Sequence, residues 1–179
     1  MTFIYITGPP GSGKTTISKR LERLGCESYD LDDLDATGYY DNVTKKKLNR
    51  PVPREEKTPE WRECYSWFAS PLAIKEFKSM VQGEIVYICG TVSNNMEIAP
   101  IFDKVLALDI DLMTLLDRVA KRDTNPYGKL PNEKADIIES YSMYHRKCTR
   151  MGATFVSTEG SVDDVVERII PLTQAKINR

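Results

Sequence analysis

Eight residues near the amino end, Gly8-Pro9-Pro10-Gly11-Ser12-Gly13-Lys14-Thr15, satisfy the pattern G-x-x-x-x-G-K-[ST] at each defined position. That spacing suits one chemistry, the gripping of a nucleoside triphosphate. The glycines let successive backbone N–H groups turn inward around a phosphate chain, and with Ser12 they form an ATP-binding loop. A helix opening directly behind adds its partial positive charge. Lys14 is placed for the β- and γ-phosphates, the Thr15 hydroxyl for Mg²⁺, and Thr16, one position on, for the α-phosphate.

Carboxylates and guanidinium groups follow where they can serve that grip. A second strand candidate ends Tyr29-Asp30-Leu31-Asp32-Asp33, and the carboxyl ends of parallel strands point to the edge that carries the phosphate loop. Period-two geometry puts Asp30 and Asp32 on one side of that strand. Asp30 can then hold a water bound to Mg²⁺ while Asp32 orients or deprotonates an attacking hydroxyl. Farther on, Arg118 and Arg122 stand four residues apart on one helix face and lead into Asn125-Pro126-Tyr127-Gly128-Lys129. Planar, permanently charged guanidiniums suit the charge that spreads over a transferring phosphoryl group. No N-K-x-D occurs, which disfavours a Ras-like GTPase.

The elements that must position these residues are legible as alternating strands and helices. Strands are expected at 3–7, 27–31, 85–89, 105–109 and 154–157. Helices are expected at 15–24, 112–122 and about 133–150, the last with Ile137, Ile138, Tyr141, Tyr144 and Cys148 facing inward. Ser161-Val-Asp-Asp164 resembles a cap before a final helix. The alternation implies an α/β fold, a three-layer arrangement around a parallel sheet of about five strands, in one domain spanning 1–179. Two stretches break the pattern. The 36–62 segment is polar, carries three prolines and has no clean periodicity, and 123–132 is turn-forming throughout. Both read as insertions over one end of the sheet, an acceptor-binding insertion and a short lid.

The phosphate loop, the D-x-D after strand two and the arginines entering a lid resemble the layout of small P-loop kinases such as shikimate, gluconate and adenylate kinases. The chain is especially similar to bacterial proteins labelled nucleoside kinase or ATP-binding kinase-like protein, which share a D-x-D-D turn, a C-G-x-x-S-N segment and an R-x-x-N-x-Y-G-K lid. Here these are Asp30, Asp32 and Asp33; Cys89, Gly90, Ser93 and Asn94; and Arg122, Asn125, Tyr127, Gly128 and Lys129. The resemblance implies strand order 2-3-1-4-5, Mg-ATP as donor, and an adenine pocket near Thr158, Glu159 and Gly160. It also implies an acceptor side that includes Asp33, Gly90 and Asn94. Shikimate kinases carry a glycine triplet after the third strand; Gly90-Thr91-Val92-Ser93-Asn94-Asn95 stands there instead, so this acceptor pocket is built differently. The third strand lacks a terminal Walker B aspartate. Asp30 must therefore support Mg²⁺ through water, unless Thr15 does most of it or Asp109 takes that role.

Composition bounds the rest. The 179 residues carry 25 Lys+Arg against 26 Asp+Glu and are 41% hydrophobic, which fits a globular protein and argues against a wholesale polyanion binder. Four scattered cysteines and one histidine leave no zinc site and no Ser-His-Asp hydrolase. No apolar run nears the roughly 18 residues that span a bilayer, and no basic-then-apolar segment opens the chain. A reduced, cytoplasmic protein is expected. Among weaker signals, Arg62 is suited to clamp an anionic acceptor group and Trp61 to stack on a base, while Trp67 reads as packing. Lys45-Lys46-Lys47 with Arg50 and Arg54 is followed closely by four glutamates, so a solvated loop rather than nucleic-acid binding is expected. The leading expectation is transfer of phosphate from Mg-ATP to a small-molecule hydroxyl such as that of a nucleoside, with no nucleic-acid partner; a nucleoside monophosphate acceptor and a hydrolysing module that acts on a partner or RNA stay open, as does oligomeric state.

Overall fold

A computed structural model of the chain describes residues 1–123 and 126–174. Asn125, expected in the lid, lies outside the described residues. Five strands, β1 (Thr2–Thr7), β2 (Glu27–Asp30), β5 (Ile85–Cys89), β6 (Lys104–Asp109) and β7 (Thr154–Ser157), pair in parallel in the order β2-β5-β1-β6-β7. Counted among themselves they run 2-3-1-4-5, the expected order.

The three central strands β1, β5 and β6 read as nearly continuous apolar runs because the middle of the sheet is covered on both faces. Phe3 and Tyr5 of β1 join Val86, Ile88 and Phe102 in one core, while Ile4 and Ile6 join Tyr87, Leu106 and Leu108 in another. The second core is closed by α1 (Lys14–Arg23), through Ile17 and Leu21, and by α7 (Val162–Gln174), through Val165, Val166 and Ile169. Ser161 and Asp164 exchange the expected capping bonds at its start. The first core takes Ile74 from α3 (Pro71–Met80) and Ile98 from α4 (Asn95–Ile98). A third, smaller cluster sets Leu115 and Val119 of α5 (Leu112–Lys121) against Ile110 and Ile137, the latter from α6 (Pro131–Arg150).

Three expectations change. The polar 36–62 stretch opens with a strand, β3 (Thr37–Asp41), that pairs antiparallel with β4 (Tyr65–Ala69) and encloses the short helix α2 (Pro59–Cys64). Each strand is five residues of mixed aromatic and small polar character, too short to carry a period. Its stability comes from cross-strand rings such as Tyr39 opposite Trp67. The lid ends sooner than expected, because Pro131 already begins α6 at the position where proline's missing N–H costs nothing. Ile138, expected inward, is exposed, and the inward place one turn before Ile137 belongs to Glu133. Among the described residues no helix is long and apolar enough to cross a membrane.

Candidate active site

The phosphate loop links β1 to α1 at the carboxyl edge of the sheet. Gly11 and Gly13 hold φ of 90° and 96°, a left-handed conformation that favours glycine. Gly13 caps α1 with no side-chain bond, and a side chain added to it would meet nothing within 4 Å. The space beside the start of the helix is therefore open. Thr91 pins the start of the loop: its hydroxyl donates to the Gly8 carbonyl at 2.6 Å and lies 3.3 Å from the Gly8 N–H. The Ser12 hydroxyl is buried inside the loop without a partner among the described residues. Lys14 arcs back to donate to the carbonyls of Gly8 (2.7 Å) and Pro9 (3.1 Å). Burial lowers its ammonium pKa to about 8, against the pull of Asp32 and Asp30. Glycine-shaped amides, an orphaned hydroxyl and a desolvated lysine form a donor set that fits a polyphosphate. Thr16, expected at the α-phosphate, is exposed on the first turn of α1.

The acidic pair is arranged differently from a strand. β2 ends at Asp30, and Leu31–Asp33 form a 3-10 turn that Asp30 itself caps, accepting the Asp32 N–H at 3.1 Å. The two carboxylates therefore do not share a strand face. The other oxygen of Asp30 accepts the Thr15 hydroxyl at 2.8 Å. Hydroxyl and carboxylate suit a hard cation that keeps most of its waters. No cluster of three potential metal-ligating side chains occurs among the described residues, so a Mg²⁺ here would lean on nucleotide phosphates for its other ligands. Asp32 is reached by solvent yet partly enclosed by its neighbours. Partial burial raises its carboxyl pKa, and a bond from the Trp67 indole N–H at 2.8 Å opposes the rise. Asp33 is exposed beside it.

The two arginines diverge. Arg118 donates to the Thr158 carbonyl at 3.3 Å and lines a cleft of about 510 Å³ together with Asp109, Tyr141, Glu159 and Gly160. Arg122 turns toward the lid, donating to the Tyr127 carbonyl at 2.7 Å, and its charge is felt at Lys14. Asp109 pairs with His145 at 3.0 Å.

Of the expected acceptor residues, Trp61 stacks on Tyr65 at 4.9 Å and meets Tyr39 edge-on at 4.8 Å. Arg62 donates to the Lys57 carbonyl at 3.0 Å, lies over the Tyr127 ring and faces Glu133 at 3.7 Å. Both ends of the Asn94 amide are taken by the main chain of Ala69, at 3.0 and 2.8 Å. Gly90 allows the close approach of Leu31, whose Cβ a side chain there would strike. Sequence reasoning took Trp67 as packing alone, where its indole also bonds Asp32, and passed over Thr91 and Glu133. Of these, Glu133 carries a signal, since it stands at N3 behind a proline and one turn before a buried isoleucine.

Comparison with known proteins agrees with this architecture. A shikimate kinase of Sulfurihydrogenibium sp. is 27% identical over 177 residues, covering 94% of this chain and 98% of that protein. A proposed adenylate kinase of Methanocaldococcus jannaschii is 27% identical over 170 residues, covering 93% and 85%. The structure of Acinetobacter baumannii shikimate kinase in complex with shikimate superposes with a TM-score of 0.61 at 20% identity, covering 100% of this chain and 96% of that one. The chain thus has the fold of the small P-loop kinases and groups with those phosphotransferases. A family model described as an AAA domain matches residues 4–139, from the first strand through the phosphate loop and lid into α6, and the chain belongs to that family.

Proposed function

We propose that the protein is an ATP-dependent kinase that transfers the γ-phosphoryl group of Mg-ATP to a hydroxyl of a small molecule, with a nucleoside as the favoured acceptor. The observation that carries this reading is Asp32, a carboxylate at the loop's edge with one oxygen fixed by Trp67 and with Lys14 close enough to feel its charge. The triphosphate lies along the main-chain amides of 11–16, with Lys14 on its β- and γ-phosphates. Bound Mg²⁺, held by Thr15 and through water by Asp30, would neutralise phosphate charge. Asp32 accepts the proton of the acceptor hydroxyl. The acceptor oxygen bonds to the γ-phosphorus as its bond to the bridging oxygen breaks, and ADP leaves. Arg122 faces the charge on the transferring group, and Arg118 stands beside the nucleoside end of the cleft lined by Thr158. The rings of Tyr39 and Trp61 in the insertion and of Tyr65 and Trp67 on β4 beside it suit a planar acceptor. ATP as donor and four free cysteines fit a cytoplasmic setting.

A nucleoside monophosphate acceptor is the second reading, favoured by the name of the archaeal relative. It calls for a free cation at the acceptor phosphate, and Arg62 is instead engaged by Lys57, Glu133 and Tyr127. The basic stretch gives little support to a nucleic-acid partner, because Lys45 covers the Phe68 ring, Lys47 bonds the Asp35 carbonyl and Arg50 pairs with Glu56. Transfer from labelled ATP across nucleosides, monophosphates, sugars and shikimate tests the reading. A phosphorylated hydroxyl product is expected, and hydrolysis unstimulated by any acceptor would overturn it.

A further inference from the structure

Glu133 is a buried carboxylate that the chemistry above leaves unused. Its side chain is 2% exposed. Its Oε2 accepts the Gly128 N–H at 2.9 Å, the Leu130 N–H at 3.3 Å and Arg54 Nη2 at 2.9 Å, while Oε1 faces Arg62 Nη2 at 3.7 Å. Desolvation works against its charge, but the amides and Arg54 outweigh it and hold the carboxyl below its usual range. The ion is therefore paid for by donors from two separate segments, the lid and the acceptor insertion.

Those donors share a purpose. Gly128 and Leu130 belong to the turn whose Tyr127 carbonyl accepts Arg122 at 2.7 Å. Arg54 also donates to the Pro126 carbonyl at 3.2 Å, and the Arg62 guanidinium lies 5.3 Å from the centre of the Tyr127 ring. From below, Gly128 sits at φ 94° where a side chain would strike Val119 and Ile137, so the turn has one path. Arg122 ends at this turn with its Nε buried and without a partner among the described residues.

We propose that Glu133 is a positioning residue, which holds the 126–130 turn so that Arg122 meets the terminal phosphate of a bound nucleotide. Because its counter-charges Arg54 and Arg62 come from the insertion, lid and acceptor insertion are set as one unit. The proposal rests on the reading of the phosphate loop as a triphosphate site.

The test needs no acceptor and no turnover. A non-hydrolysable ATP analogue and ADP, each with Mg²⁺, are titrated calorimetrically into the intact protein and its variants. The unmodified protein is expected to prefer the triphosphate, and Arg122→Met to lose about tenfold of that preference. Glu133→Gln, which keeps the shape of the side chain, is expected to lose a similar factor, and the double variant no more than either single one. Arg54→Met reaches the same carboxylate from the exposed side and should act in the same direction if Glu133→Gln fails to fold. A purely structural role would weaken both nucleotides alike or multiply with Arg122→Met, and either result overturns the proposal. So does an unaltered preference in Glu133→Gln or, if that variant fails to fold, in Arg54→Met. Absence of any nucleotide binding by the unmodified protein would overturn the phosphate site along with it.

Discussion

The indole N–H of Trp67 donates to Oδ1 of Asp32 across 2.8 Å, and this one bond joins the antiparallel ribbon of the insertion to the carboxyl edge of the parallel sheet. It fixes the carboxylate's direction, and on the proposed reading it leaves Oδ2 for the acceptor hydroxyl.

Trp67→Phe keeps the ring's packing but removes the donor that opposes the burial-raised pKa of Asp32. Asp32 works as a base only when ionised, so kcat/KM should fall as pH drops through its pKa, above the ordinary aspartate range. In Trp67→Phe that acid limb moves to still higher pH, while the plateau stays within about tenfold. A limb that stays in place, measured as a kcat/KM profile, would show that the bond does not tune the base.

Lys14 has a pKa of about 8 in the free protein because burial disfavours its charged form. Phosphates favour that form, so nucleotide binding above pH 8 must take up a proton, and affinity should weaken as pH rises through that value. Titration of ADP at pH 7 and pH 9.5 checks this, and Lys14→Met should remove the dependence. In turnover, Lys14→Met is expected to cost about 10²–10³-fold.

Thr15 and Asp30 are bonded to one another at 2.8 Å. Thr15→Val removes the hydroxyl expected to ligate Mg²⁺, so the Mg²⁺ concentration for half-maximal rate should rise about tenfold or more. Asp30→Asn, acting through water, should raise it less.

Gly90→Ala drives a Cβ into Leu31. Overpacking of this kind costs about 2 kcal/mol, a fall in Tm of about 4–8 °C, which a thermal melt measures.

The sheet was legible because its three central strands are buried on both faces and therefore read as nearly uninterrupted apolar runs, such as Phe3–Ile6. The phosphate loop was legible because its chemistry is local: eight adjacent residues between one strand and one helix. What stayed hidden depends on distant partners. The Asp32–Trp67 bond spans 35 residues, and nothing near Trp67 marks its indole N–H as a donor to a carboxylate. The 3-10 turn at 31–33 exists because Asp30 caps it, so an aspartate counted as a strand residue also ends the strand. Glu133 looks like a surface glutamate until Arg54, 79 residues earlier, is folded against it.

Phosphate transfer from labelled ATP, measured for the unmodified protein, Asp32→Asn and Arg62→Met over an acceptor panel of nucleosides and their monophosphates, is the most direct test. The predicted result is a phosphorylated hydroxyl acceptor whose formation falls about 10²-fold or more in Asp32→Asn and less than about tenfold in Arg62→Met. Transfer confined to monophosphates, persisting in Asp32→Asn and abolished in Arg62→Met, would contradict the account.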